Sequence, residues 1–316
     1  MARHRSDMSD ISAFLAVARA GGFRDAERAT SISSSALSDA VRRLEAQLGV
    51  RLLNRTTRSV VPTDAGRGLM ERVAPAFSEI DAALDHTRSL RGRAAGTLKL
   101  NVPVSSARLV LPRIVPGFLA AYPDIRLEIA TDESFVDIIA GGFDAGIRYD
   151  ERLEQDMIAL PIGPRVQAFA CAASAVYLDL YGRPEHPRDL LEHRCIRTRF
   201  RGRAMQPMEF ECDGETVIVD PPSTLVVEAG GGVDLALDVA IAGTGIVWIF
   251  EEWLRPLIDA GTLQPVLQSW WPRFSGPYLY YPGRRLVPAP LRAFIDYVKG
   301  MPPWAGTVDD PAKPLG

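Results

Sequence analysis

The residues from Ser33 to Arg42 are the first whose types and spacing suggest chemistry. Ser34, Ser35, Ser38, Asp39 and Arg42 fall on one side of a helical repeat, and Ser33 stands just before it. Short hydroxyls, one carboxylate and one guanidinium, with no bulky apolar group among them, form hydrogen bonds to a partner surface. The other side carries Leu37, Val41, Leu44 and Leu48, an apolar stripe that holds such a helix on a core.

The neighbouring elements would position this face. Ala26, Ala29 and Ile32 mark a shorter helix packed on an earlier one, whose apolar side holds Met8, Ile11, Phe14, Leu15 and Ala18. Gly21-Gly22 separates these two helices, Ser31 or Ser33 caps the third, and Gly49 ends it. Residues 51–55 and 59–61 then alternate as two short strands around Thr56-Thr57-Arg58, a wing. Two helices joined by so tight a turn let the second lie in a DNA major groove. Arg55 is placed for phosphate, and Arg58 at the wing tip for a minor groove. Charge agrees: residues 1–62 hold ten Arg against six Asp or Glu, a net of +4, so with a total of −3 the remainder carries −7. An Arg-rich solvated surface and a plain serine-bearing helix face would look the same from residue types alone.

The segments AFLAVARAGGF (13–23) and SSALSDAVRRLEAQLGVRLLNRTTRSVVPTDAG (34–66) resemble the winged helix-turn-helix of LysR-type transcriptional regulators. The resemblance implies that Ser34, Ser35, Ser38 and Asp39 meet base edges and that Arg55 and Arg58 grip the backbone and minor groove. Ser33, Arg42 and Thr56 complete that set. The family often has Gln or Pro at the position of Ser34 and a basic residue at that of Asp39. An acidic group there is repelled by phosphate and can accept from cytosine N4, so the operator sequence should differ.

Thr63 and Asp64 open a further helix, as cap and as a charge favourable to its dipole. Leu69, Val73, Phe77, Ile80 and Leu84 form a heptad-like seam, and Pro75 should kink it. The seam resembles the family's linker helix and implies dimerisation, although the same stripe could pack on its own chain. The expected domains are a winged head over 1–62, a linker over 63–92 and a two-lobed α/β domain over 93–302. Its lobes are taken as 93–164 plus 269–302, and 165–268, with a disordered tail over 303–316.

In that domain, strands at 97–102, 125–130 and 143–148 alternate with helices, which argues a largely parallel sheet. Ligands bind such sheets at strand carboxyl ends, placing Val104, Ser105, Ser106, Thr131, Asp132, Ile147 and Arg148 around one mouth. The pieces FDAGIR, AGTGI and YLYYPGRR are similar to the family's effector-binding domain, two lobes of periplasmic-binding-protein type around a cleft. This likeness implies an effector site at Val104, Ser105, Ser106, Thr131, Arg148, Phe200 and Thr244. With Arg148 and the arginines of 199–203 nearby, the expected effector is a small anion, unless Ser105 is a plain helix cap and that loop merely solvated.

No run of about 18 apolar residues is present, so no membrane partner is expected. The basic start lacks a signal-peptide core and points to the cytoplasm. His4, His86, His186 and His193 lack metal spacing, and no phosphate loop, nucleophile elbow or dinucleotide fingerprint occurs, so no cofactor is expected. The reading is a sequence-specific, non-enzymatic regulator that binds double-stranded promoter DNA as a dimer or tetramer under control of a small effector. Two alternatives stand beside it: a thiol-redox regulator using Cys171, Cys195 or Cys212, and an enzyme acting on a small acid in the same cleft.

Overall fold

The structure is a computed structural model that describes residues 2–55, 60–89, 94–132, 141–149, 157–199, 204–283 and 287–304. Thr56, Arg58, Phe200 and most of the expected tail lie outside these residues, as do the side chains of 81–89. The chain divides into two compact units, the first holding Met1–Leu84 and Asp137–Phe143 and the second Asp85–Val136 and Asp144–Gly316.

The first unit contains α1 (Ala2–Ala20), α2 (Phe23–Thr30), α3 (Ser34–Leu48), β1 (Leu53–Arg55), β2 (Val60–Pro62) and α4 (Asp64–Ser89). Its core gathers Phe14, Leu15, Val17, Ala26, Leu37, Val41, Leu44, Leu52 and Leu53. Three members of the expected stripes stay outside: Ala29 in the last turn of α2 is exposed, and Ile32 in the turn and Leu48 in the last turn of α3 are 46% and 48% exposed. Each stands where the chain leaves the helix pair, beyond the reach of the core. Met8, likewise expected inside, is exposed on α1. Ser33 caps α3 by accepting from the Ala36 amide at 3.3 Å, and Gly49 ends it at φ 69°, a left-handed conformation favourable to glycine. Thr63 caps α4 through the Gly66 amide (3.0 Å). A Cβ at Gly66 would run into the Leu52 carbonyl oxygen, so the wing and α4 approach closely only because a glycine stands there. Helix α4 continues through Pro75, which lacks the amide of a normal helical residue.

The second unit opens with β3 (Gly96–Val102), α5 (Val104–Leu109), α6 (Leu111–Ala121), β4 (Ile125–Thr131), β5 (Ala145–Arg148) and β6 (Met157–Pro161). The chain then builds β7 (Val166–Ala173), α7 (Ala175–Tyr181), β8 (Cys195–Arg199), β9 (Met208–Cys212), β10 (Glu215–Val219), β11 (Ser223–Glu228), α8 (Val233–Ile241), β12 (Ile246–Phe250), α9 (Glu251–Asp259), β13 (Gln264–Val266) and β14 (Arg273–Ser275). It closes with β15 (Tyr278–Pro282) and α10 (Ala289–Gly300).

Two sheets result, ordered β4-β3-β5-β15-β6 and β11-β8-β12-β7-β13, with β14 added on β7. They are mixed rather than largely parallel. Strand β3 runs parallel to β4 and β5, and β8 to β11 and β12, whereas β15 and β7 are antiparallel to every neighbour. Those two antiparallel strands are where the chain enters one sheet from the other, which reverses its direction. Because β14 pairs with β7, residues through Ser275 belong to the second sheet, and the return falls after them rather than near 269. The first lobe closes where Phe118 of α6 meets Phe294 of α10 edge-on at 5.0 Å. The second lobe sandwiches its sheet between α8 and α9 on one face and α7 with the β9–β10 hairpin on the other.

Candidate DNA-binding face and ligand cleft

The polar face of α3 is held by hydrogen bonds reaching across the head. Glu45, on the same helix, accepts from the Leu52 and Leu53 amides at 2.9 and 3.1 Å with one carboxylate oxygen. Its other oxygen receives Arg55 at 3.5 Å, so one side chain fixes the wing to the helix. Arg55 also donates to the Ser38 hydroxyl at 3.2 Å and lies 4.9 Å from the Phe23 ring centroid. On the far side of α3, Arg43 makes two bonds to the buried Asp10 of α1, at 2.6 and 3.2 Å, and that bond pushes the guanidinium further up from its usual range.

The sequence-derived residues divide within this frame. Ser33 and Ser35 are exposed, their hydroxyls 3.2 Å apart, and Asp39 and Arg42 form an exposed pair at 3.2 Å. Ser38 is half-buried beneath Arg55. Ser34 turns toward α2 instead: its hydroxyl donates to the Glu27 carboxylate and to the Phe23 carbonyl, joining the two helices of the turn. Glu45, Asp10 and Arg43 were not singled out from sequence. A charged residue on or beside an apolar stripe was the available signal, since buried charges are paired.

Of the expected seam, Leu69, Val73 and Phe77 are half-buried against the core of their own head, while Ile80 is 41% exposed. Leu84 contributes no described side chain.

In the second unit, Ser105, Phe169, Thr198, Ala229, Ile249, Phe250 and Trp253 line a cleft between the two lobes. Ser105 follows the carboxyl end of β3, and Thr198, Ala229 and Phe250 lie at or just beyond those of β8, β11 and β12, as the rule for α/β sheets requires. The side chains leave a cavity of about 10 Å³, room for roughly one water. Phe169 is the hub of the aromatic wall, with ring centroids 4.4 Å from Trp248, 4.7 Å from Phe250 and 5.2 Å from Phe274. Trp253 meets Phe250 edge-on at 5.4 Å. Arg108 and Asp234, one from each lobe, pair at 2.8 Å.

Of the effector residues expected from sequence, Ser105 alone is among these lining residues. Val104 precedes it, and Ser106 is fully buried with its hydroxyl unpartnered. Thr131 is exposed at the end of β4. Arg148 is 9% exposed and donates to Asn101 of β3 and, at 2.7 Å, to the Ile147 carbonyl, so it ties β5 to β3. Thr244 belongs elsewhere. It bonds back to Val239 at 2.7 Å where α8 ends, before β12 begins, whereas the cleft sits beyond the far end of that strand. Ligand-facing positions follow strands, and Thr244 precedes one. The aromatic residues were missed because β7, β12 and α9 meet only in three dimensions.

Cys171 and Cys195 are poorly placed for redox chemistry, while Cys212 is partly exposed. Strand β12 lies between β7 and β8, so Cys171 and Cys195 stand two strand spacings apart, roughly 9.6 Å or more between Cα atoms, beyond the ~7 Å limit for a disulfide. Burial pushes the Cys171 thiol well up and that of Cys195 up to about 12, so both stay protonated and unreactive.

Comparison with known proteins covers both units. Residues 8–67 match the bacterial regulatory helix-turn-helix protein, lysR family, and residues 91–302 match the LysR substrate binding domain. The chain is 41% identical to the uncharacterized HTH-type transcriptional regulator YcaN of Escherichia coli K12 over 93% of this chain and 95% of that one. It is 39% identical to a putative transcriptional regulator of Pseudomonas aeruginosa over 96% and 98%. The full-length structure of the Vibrio cholerae virulence activator AphB shares the fold, with TM-score 0.62 at 24% identity over 93% of this chain and 99% of that one. Among the described residues no helix is long and apolar enough to cross a membrane. The chain belongs to the LysR family of transcriptional regulators, with a helix-turn-helix head and an effector-binding domain.

Proposed function

We propose that this regulator acts in the cytoplasm, binding double-stranded promoter DNA as a homo-oligomer without catalysing a reaction. The observation that carries the reading is the face of α3. Ser33, Ser35, Asp39 and Arg42 are exposed there, and Arg55 is braced beside them by Glu45 and Ser38. Ser35, Asp39 and Arg42 read base edges, while Arg55, Thr56 and Arg58 hold the backbone and minor groove. Ser34 supports this by fixing the turn between α2 and α3. Two heads joined through α4 then meet adjacent major grooves about one turn apart. Exposed Ile80 is free for such an interface, and Leu69, Val73 and Phe77 add their outward sides.

A small effector enters the cleft at Ser105 and shifts the regulator between arrangements that bind DNA differently. Among the described residues the cleft walls favour an apolar or aromatic body. The Arg148 guanidinium is hydrogen-bonded to Asn101, and no cation lines the cavity. Selection from random duplex DNA tests the central part. An interrupted two-fold motif is expected, and recovery of DNA with no shared motif would overturn sequence-specific reading.

A further inference from the structure

Beside the aromatic wall lies a buried polar pair with two unmet acceptors. Gln167 precedes Phe169 by two residues, on the same face of β7, and Glu252 follows Phe250 by two, in the first turn of α9. Phe169 and Phe250 are cross-strand partners that line the cleft, so the pair lies next to two lining residues without lining it itself. The Gln167 amide donates to Glu252 at 2.7 Å. Gln167 is 3% exposed, and its carbonyl oxygen has no donor. The second Glu252 oxygen is also buried without a partner. Among the described residues no cation pairs with Glu252, and burial pushes its carboxyl up.

Two acceptors without donors, close in the fold to the rings of Phe169, Phe250 and Trp253, form an environment suited to a nitrogen cation. We infer that the cleft recognises an effector with a protonated amine or guanidine on an aromatic or apolar body, the nitrogen held by Glu252 and Gln167. This rests on the reading of the cleft as the effector site, and it replaces the anion expected from sequence. The apolar body meets Phe169, Phe250 and Trp253 once the side chains around the cavity of about 10 Å³ move apart to admit it, and the nitrogen donates to the two open oxygens. Glu252 is then ionised, with its charge balanced by the ligand.

The test is calorimetric titration of the full chain with phenethylamine and with 3-phenylpropionate, which keeps the aromatic body and reverses the charge. Saturable binding of the amine is expected, weakened tenfold or more by Glu252→Gln, a near-isosteric change. Gln167→Leu provides a second variant and should weaken the amine several-fold. Amine binding that both variants leave unchanged overturns the inference, as does failure of the amine to bind. If the carboxylate binds instead and Phe169→Ala abolishes it, the cleft remains the effector site and the cationic class falls. If Phe169→Ala leaves the binding of either probe unchanged, both readings fall.

Discussion

On α3 Ser35, Asp39 and Arg42 stand in solvent and pair with exposed neighbours, so each of those bonds can be exchanged for one to DNA at little loss. Around the cleft the buried polar groups are either locked to their own fold, as Arg148 is to Asn101, or keep one atom without a partner, as do Glu252 and Ser106. An exposed pair such as Asp39–Arg42 contributes about 0.2–1 kcal/mol and constrains little. A buried polar atom left unpaired costs roughly 1–3 kcal/mol, so its fate is decided by whatever ligand or water reaches it. The head is therefore a surface ready before its partner arrives, whereas the cleft is completed by one.

Within the head the largest loss is expected at a half-buried residue. Glu45→Ala removes the acceptor of two backbone amides and the brace of Arg55, and should destabilise the head by about 2–4 kcal/mol in chemical denaturation. A loss under 1 kcal/mol would show that the wing holds its place without Glu45. Next in size, Arg148→Ala should destabilise the second unit by about 1–3 kcal/mol, since it leaves Asn101 without its donor. Unchanged stability with lost ligand response would return Arg148 to the effector site.

Smaller effects belong to exposed groups. Arg55→Ala should weaken binding to every DNA sequence by roughly tenfold and lower the salt dependence by about one ion, measured by anisotropy across salt. A change confined to one sequence would make Arg55 a base reader. The smallest expected effect is the pH response of Glu252. Its folded carboxyl titrates above the unfolded one, so its contribution is fully present below the unfolded value, about 4.3, and is lost as pH rises through the folded value. Glu252→Gln should remove that loss and flatten the melting profile above pH 4, whereas a profile identical to the parent would place the carboxylate in water.

The head was legible because its information is local. A stripe from Leu37 to Leu44, a capping serine, and glycines at 21, 22 and 49 are all read within one turn or two of chain. Its errors, Ala29, Ile32 and Leu48, lie at the edges of the same pattern, where periodicity continues but the core does not. The cleft was legible only in its first piece, Ser105, which follows a strand and opens a helix. Phe169, Phe250 and Trp253 come from β7, the end of β12 and α9, and no spacing along the chain announces that they meet. Thr244 was misplaced because a glycine turn before a strand resembles one after it when strand direction is unknown. The mixed sheets have the same origin: direction within a sheet depends on where the chain crosses between lobes.

The most direct test of the account is to repeat selection from random duplex DNA with the Asp39→Asn variant beside the parent. If α3 reads bases, the recovered motif should change at one position in each half-site while overall affinity stays within a few-fold. An unchanged motif, or a uniform loss of binding to all sequences, would contradict base reading by this face.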